Sequence, residues 1–195
     1  MKIKPKKFDI GDIFCCDTVM IGKHETRPQL THRIAVLGGD LLVKVLEAYD
    51  DYEGRALPQD NVGVSYAPAV NKSYAFLDFN KQSGDEIYNL WRGIGDIIKL
   101  RARWKPTNTT TRFAMCIPPE AIQDLNLDSK YPNTPPGGVV FVKAGKGRSY
   151  LCISCRSGWV ALTGIYYGGR KKMEARDFAN GFIHPGAEHL FIKDS

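Results

Sequence analysis

Lys99-Leu100-Arg101-Ala102-Arg103-Trp104-Lys105 alternates cationic with apolar residues. Successive side chains of a β-strand point to opposite faces, so this period of two predicts a strand that presents Lys99, Arg101, Arg103 and Lys105 on one face. Trp104, on the other face, is expected in the core. A row of like charges repels itself unless a polyanion or plain solvent lies over it. Phosphates would suit such a row, giving sequence-tolerant and salt-sensitive binding, and a solvated sheet face is the alternative.

Working outward from this stretch, residues 98–104, 112–117, 138–143, 150–155 and 158–166 all read as strands. They are rich in aromatic and β-branched residues and are separated by glycine, proline and polar clusters. Five short strands with few helices favour a small barrel, although the pattern equally allows a sandwich. One helix precedes them: Ser83-Gly84-Asp85-Glu86 is a capping-box sequence, and Ile87, Leu90, Trp91 and Ile94 continue an apolar face to a stop between Gly93 and Gly95. Residues 118–136 are irregular, with a short helix expected at 120–125 and no role evident. Residues 174–180 suit one or two helical turns, closed by Gly181 as a C-cap.

The amino-terminal part reads differently. Residues 10–19 suit a strand, and a helix begins near Thr26, where Thr26 and Gln29 form a capping box and Pro28 is tolerated in the first turn. Leu30, Ile34, Leu37, Leu41 and Val45 recur at spacings of three and four, which predicts a core helix. Gly38-Gly39 costs about 1 kcal/mol per glycine, so close packing against a neighbour is the expected compensation. From Asp50 to Asn71 the pattern fails, and a linker is expected. A strand followed by an amphipathic helix fits the tail of an α/β domain.

Charge divides unevenly. Residues 1–60 hold nine Lys and Arg against ten Asp and Glu, whereas residues 61–195 hold eighteen against eleven, so the net charge of +6 belongs to the carboxy-terminal part. A basic domain attracts polyanions. Lys143, Lys146 and Arg148 flank Gly145 and Gly147 in an expected hairpin loop, and Arg170-Lys171-Lys172 makes a second basic loop. Both are candidate phosphate contacts. Trp91, Trp104 and Trp159 are expected in the core or at its rim, and His184 on the surface.

No apolar run approaches the roughly 18 residues that a membrane-spanning helix needs. Five cysteines, an odd number, and no visible signal peptide make a reduced compartment the default. Cys152-Ile153-Ser154-Cys155 has the spacing of half a zinc site. It lies in a predicted strand, however, where residues three apart face opposite ways, and no second pair completes four ligands, so no metal is expected. At the amino terminus, Phe8-Asp9-Ile10-Gly11-Asp12 suits a tight loop of the kind that often holds functional carboxylates.

The order of motifs along the chain adds a further reading. Phe8-Asp9-Ile10-Gly11-Asp12 is followed by Thr31-His32-Arg33-Ile34-Ala35-Val36-Leu37-Gly38, Val64-Ser65-Tyr66-Ala67-Pro68, Leu77-Asp78-Phe79, and Arg92-Gly93-Ile94-Gly95-Asp96. Gly169-Arg170-Lys171-Lys172-Met173 and Asp177-Phe178-Ala179-Asn180-Gly181 complete the series. This series resembles the methionyl-tRNA formyltransferase family over essentially the whole chain, and the form of residues 92–98 is similar to its mitochondrial branch.

The resemblance implies an α+β chain: a remnant of a Rossmann-like α/β formyltransferase domain at 1–55, a linker at 56–72, and an OB-type β-barrel binding tRNA at 73–195. It implies formyl transfer from 10-formyltetrahydrofolate to the amino group of initiator methionyl-tRNA, by a monomer in the mitochondrial matrix. The family's catalytic trio is an asparagine, a histidine two residues after it, and an aspartate on a later loop. Asp9 matches the aspartate. None of His24, His32, His184 and His189 stands two residues after an asparagine. The expectation is therefore a chain whose catalytic pair would lie before Met1, inactive on its own, with the ten cations named above contacting tRNA. A stand-alone RNA-binding module and a folate-dependent formyltransferase acting on a small amine are the alternatives.

Overall fold

The computed structural model describes Met1 and residues 9–60, 62–145 and 147–194, which form two compact units, Met1–Ala69 and Val70–Ser195. Each unit carries one long helix that starts at a capping box. In the first, the Thr26 backbone N–H donates to Gln29 Oε1 at 2.9 Å ahead of α1 (Arg27–Glu47). In the second, the Ser83 N–H donates to Glu86 Oε2 at 2.7 Å and the Glu86 N–H donates back to Ser83 Oγ at 3.1 Å, ahead of α3 (Gly84–Ile94). The Ser83 backbone donor, with its hydroxyl, holds the Glu86 carboxyl below its usual range. A carboxylate here also meets the positive end of the helix.

The first unit departs from the sequence reading in three ways. Residues 10–19 form no strand beyond an isolated bridge, in which Ile13 and Leu57 exchange hydrogen bonds of 2.8 and 3.0 Å. A strand requires a ladder, and Leu57 offers one residue of partner. Helix α1 is present, but its apolar face is not a core: only Val45 is buried, while Ile34 is 48% and Leu37 is 41% exposed. A Cβ at Gly38 or Gly39 would meet nothing within 4 Å, so the close packing expected there is also missing. Periodicity specifies that a helix forms and which side is apolar; among the described residues that side is covered at Val45 and left exposed at Ile34 and Leu37. Finally, α2 (Tyr49–Gly54) occupies the start of the stretch read as irregular, with Asp50 and Asp51 favourably placed in its first turn.

In the second unit all five predicted strands form, as β1 (Arg101–Trp104), β2 (Thr109–Ile117), β3 (Val139–Lys143), β4 (Ser149–Ser154) and β5 (Trp159–Tyr167). Two more, β6 (Lys172–Glu174) and β7 (Phe191–Ile192), are too short to show a period. Every pairing between these strands is antiparallel, in the order β3-β4-β5-β2-β1-β7, with β6 also pairing β5, and Phe76 adds an isolated parallel bridge to Arg101. The expected closed barrel is not formed. The end strands β3 and β7 meet at a single bridge, Gly138 to Leu190, beside a hydrogen bond of 2.9 Å from the Val139 N–H to the His189 carbonyl. A two-residue strand cannot ladder along β3, so the sheet stays open.

One face of the sheet is buried throughout, with Trp104, Phe113, Leu151, Ile153, Leu162, Ile165 and Phe191 packed against Ile87 of α3 and Phe178 of α5 (Ala175–Phe182). Gly181 lies inside α5 rather than capping it. The other face is covered over only part of its width. A 3-10 turn at Pro119–Leu125 and α4 (Leu127–Lys130) set Ile122 and Leu127 over Tyr150, Cys152, Trp159 and Ala161, and the Trp159 indole Nε1 donates to Asp128 Oδ1 at 2.8 Å. That cover is what the irregular residues 118–136 supply. Cys152 belongs to this outer cluster and Cys155 to the inner core, so the two thiols face opposite ways as the strand reading requires.

The core depends on a contribution from the chain's far end. Phe191 lies with its ring centroid 4.9 Å from Trp104, 5.9 Å from Phe113 and 6.2 Å from Phe178. Truncating it leaves a cavity among rings that have no room to collapse. We expect Phe191→Ala to destabilise the second unit by about 3–5 kcal/mol, whereas Leu42→Ala on the exposed side of α1 changes stability by less than about 0.5 kcal/mol; urea unfolding of both variants measures the difference.

Candidate nucleic-acid interface

Burial of one side of β1 dictates the character of the other. Leu100 and Ala102 are fully buried and Trp104 is 1% exposed. Alternation then turns Arg101 and Arg103 outward, with Lys99 before the strand and Lys105 just after it, on a 3-10 turn at Lys105–Thr107. The row is partly neutralised from within. Arg103 donates through Nε and Nη2 to Asp194 Oδ1 at 3.0 and 2.8 Å, and the Thr110 hydroxyl donates to the same oxygen at 3.2 Å. Lys105 pairs with Glu188 at 2.8 Å, and Lys99 Nζ donates to the Gly95 carbonyl at 2.8 Å. The sequence reading allowed only a polyanion or solvent to offset this row; carboxylates 83 and 91 positions later were invisible to a local pattern. Arg101 differs from its neighbours, because its Nε is buried without a hydrogen-bond partner.

Register extends the cationic surface across the sheet. Arg101 stands opposite Arg112 on β2, Arg112 opposite Tyr166 on β5, and Tyr166 opposite Lys172 on β6. The Arg112 guanidinium lies 5.3 Å from the Tyr166 ring centroid, and its Nη2 donates to the Gly168 carbonyl at 3.3 Å. Lys172 pairs with Glu174 at 2.9 Å. Its stem crosses Gly164, where a Cβ would stand 2.5 Å from Lys172 Cε and push that flexible stem aside. Arg112 and Tyr166 were not singled out from sequence. Thr110 and Arg112 alternate with buried Thr111 and Phe113, which was a usable sign, but placing Arg112 opposite Arg101 requires the hairpin register.

The remaining cations surround this stripe less regularly. Lys143 ends β3 and is exposed, and Arg148, also exposed, donates from Nε to the Gly145 carbonyl at 3.4 Å. Lys146 lies outside the described residues. Arg148, Thr163, Glu174 and Arg176 line a cleft of about 600 Å³, and Glu174, paired to Lys172, joins that cleft to the stripe. Arg170 lies 5.5 Å from the Tyr167 ring centroid, and Lys171 is exposed beside it. In the first unit Asp9 sits on an exposed turn with φ of 59°; its carbonyl and that of Gly11 accept from Gln59 Nε2 at 3.0 and 2.8 Å. Phe8, which opens that loop in the sequence reading, lies outside the described residues.

The cationic groups have the chemistry to bind anions. Burial pushes the Cys152 and Cys155 thiols up to about 12 and raises Cys116 well above its ordinary value, so none is a ready nucleophile. No group of three or more His, Cys, Asp or Glu among the described residues is arranged to hold a metal. His189 is held below its ordinary pKa, first by burial and then by His184, and its neutral Nε2 accepts from the His184 N–H at 2.9 Å.

Comparison with known proteins gives a family match that lies on the second unit. The family described as formyl transferase, C-terminal domain, matches residues 69–183. Over 95% of its length the chain is 27% identical to the mitochondrial methionyl-tRNA formyltransferase of Homo sapiens, covering 46% of that protein. The corresponding protein of Rattus norvegicus is 27% identical over 94% of the chain and 46% of its own length. The methionyl-tRNA formyltransferase of Natranaerobius thermophilus is 29% identical over 90% of the chain and 52% of its own length. The chain thus spans about half the length of these relatives.

The Arg103–Asp194 pair separates structural from ligand-binding charge. Asp194 is 5% exposed and Arg103 26%, so removing the carboxylate strands a half-buried guanidinium. We expect Asp194→Ala to cost about 1–3 kcal/mol, below the loss for a fully buried pair. Glu188→Ala, which breaks the exposed pair with Lys105, costs at most about 1 kcal/mol. Chemical denaturation of the two variants, at low and high salt, measures both.

Proposed function

Because the chain belongs to the family defined by the formyl transferase C-terminal domain, we propose that it is part of a methionyl-tRNA formyltransferase of the mitochondrial matrix, in which the second unit holds initiator tRNA. The observation that carries this reading is the partial cover of the sheet. Where the outer face is roofed by Pro119–Leu125 and α4 it is apolar, and where it is open it presents Arg101, Arg112 and Lys172 with Tyr166. An open, cationic, hydroxyl-bearing face suits phosphates and sugars of an RNA backbone. Like the relatives' own names, this supports tRNA as the macromolecular substrate.

The proposed reaction is attack of the methionyl amine on the formyl carbon of 10-formyltetrahydrofolate. It requires a neutral amine, stabilisation of the tetrahedral oxyanion and delivery of a proton to the departing folate nitrogen. Asp9 is proposed to orient and tune the histidine that moves that proton. Its exposed turn, tied down by Gln59, leaves the carboxylate accessible for that task. The first unit is proposed as part of the catalytic domain, with residues 56–72 linking it to an OB-type tRNA-binding domain at 73–195.

A second reading has its own support. The sequence contains no histidine two residues after an asparagine, which favours tRNA binding without chemistry by this chain on its own. Both readings place tRNA on the second unit and differ in turnover. In the full-length protein, Asp9→Asn is expected to lower formylation of initiator methionyl-tRNA by about 10²–10⁴-fold and to alter its pH profile, with tRNA affinity unchanged. Turnover retained at the wild-type level would reject the assignment of Asp9.

A further inference from the structure

We propose that Arg101 and Arg112 together form a single anion seat, occupied by one phosphodiester group of a bound RNA, while Arg103 and Lys105 serve as braces of the fold. The proposal deepens the RNA-binding reading and rests on it. Directly opposed residues of an antiparallel pair have Cβ atoms about 4.5–5.5 Å apart, and like charges so placed are destabilising. Arg101 and Arg112 are such a pair. The fold supplies a carboxylate to Arg103 and to Lys105, and among the described residues none pairs with Arg101.

What surrounds the pair also leaves its charge unopposed. Glu174 and Asp194, the carboxylates bordering the stripe, are engaged by Lys172 and by Arg103 with Thr110. Arg112 is held by stacking on Tyr166 and by one bond to the Gly168 carbonyl, which uses a single nitrogen and leaves the rest of its donor fork open. Arg101 Nε is withdrawn from water with its donor unspent. An oxyanion bridging the two guanidiniums would offset their repulsion by accepting from their terminal nitrogens, since Arg101 Nε itself is closed to any oxygen that comes from solvent. Phosphate matches the forked geometry, and Tyr166 beside it offers an aromatic and hydroxyl surface to the adjoining sugar or base.

The test is the salt dependence of initiator-tRNA binding by the chain carrying Arg101→Gln, Arg112→Gln or both, with Arg103→Gln as control and thermal unfolding recorded for each. A shared seat predicts that either single variant lowers the slope of log K against log salt by about 0.9, the share of one phosphate. The double variant then falls no further, and Arg103→Gln loses stability with little change in slope. Additive losses in the double variant, or an unchanged slope in both singles, would overturn the seat. A second measurement, the Nε–Hε resonances of Arg101 and Arg112 under titration with inorganic phosphate, is independent of tRNA and of any substitution. If the chain binds no tRNA yet both resonances shift together, the seat stands for a free anion and the RNA reading fails. If neither resonance moves, the seat itself is refuted.

Discussion

The side chains of β1 cannot be chosen independently on its two faces. Leu100, Ala102 and Trp104 are fixed by the core, where Trp104 meets Phe178 at 5.2 Å and Phe191 at 4.9 Å between ring centroids. A strand period of two then obliges Lys99, Arg101 and Arg103 to share the opposite face. A one-residue slip of register would bury guanidiniums and expose the indole, at a cost far beyond the marginal stability of a domain this size. Hydrophobic burial therefore does more than stabilise the sheet. It lines up the charges on its outer surface and holds them in register with Arg112, Tyr166 and Lys172 on the neighbouring strands.

The carboxy-terminal stretch completes both sides of this arrangement. Phe191 enters the core while Glu188 and Asp194 reach the outer face and pair with Lys105 and Arg103. Without those acids the outward row would repel itself; with them, positive charge remains on Lys99, Arg101 and Arg112. A protein that only needed a soluble surface would gain from neutralising all of these positions alike. The proposed anion seat draws on the part of the row that the fold leaves unpaired.

Much of this was legible locally. The Ser83 and Thr26 capping boxes, the five longer strands, the opposite facing of Cys152 and Cys155, and the alternation at 99–105 each depend on neighbours within a few residues, where periodicity and capping chemistry operate. What escaped depends on distance along the chain. The pairing of Arg103 with Asp194, the opposition of Arg101 and Arg112, and the two-residue strand β7 are set by tertiary register. The open edge between β3 and β7, where a closed barrel was expected, has the same origin. In the first unit the error ran the other way: the apolar face of α1 was read correctly as a pattern but not as a core, because periodicity says nothing about what lies against a face.

The central claim is that the open, cationic part of the sheet is where RNA lies. Mapping chemical-shift changes across the chain on titration with initiator tRNA tests it most directly. The account predicts changes clustered at Arg101, Arg112, Tyr166 and Lys172 and absent from Ile122, Leu127 and Cys152 beneath the 119–130 cover. Changes concentrated on that covered half, or spread evenly over the basic surface, would contradict it.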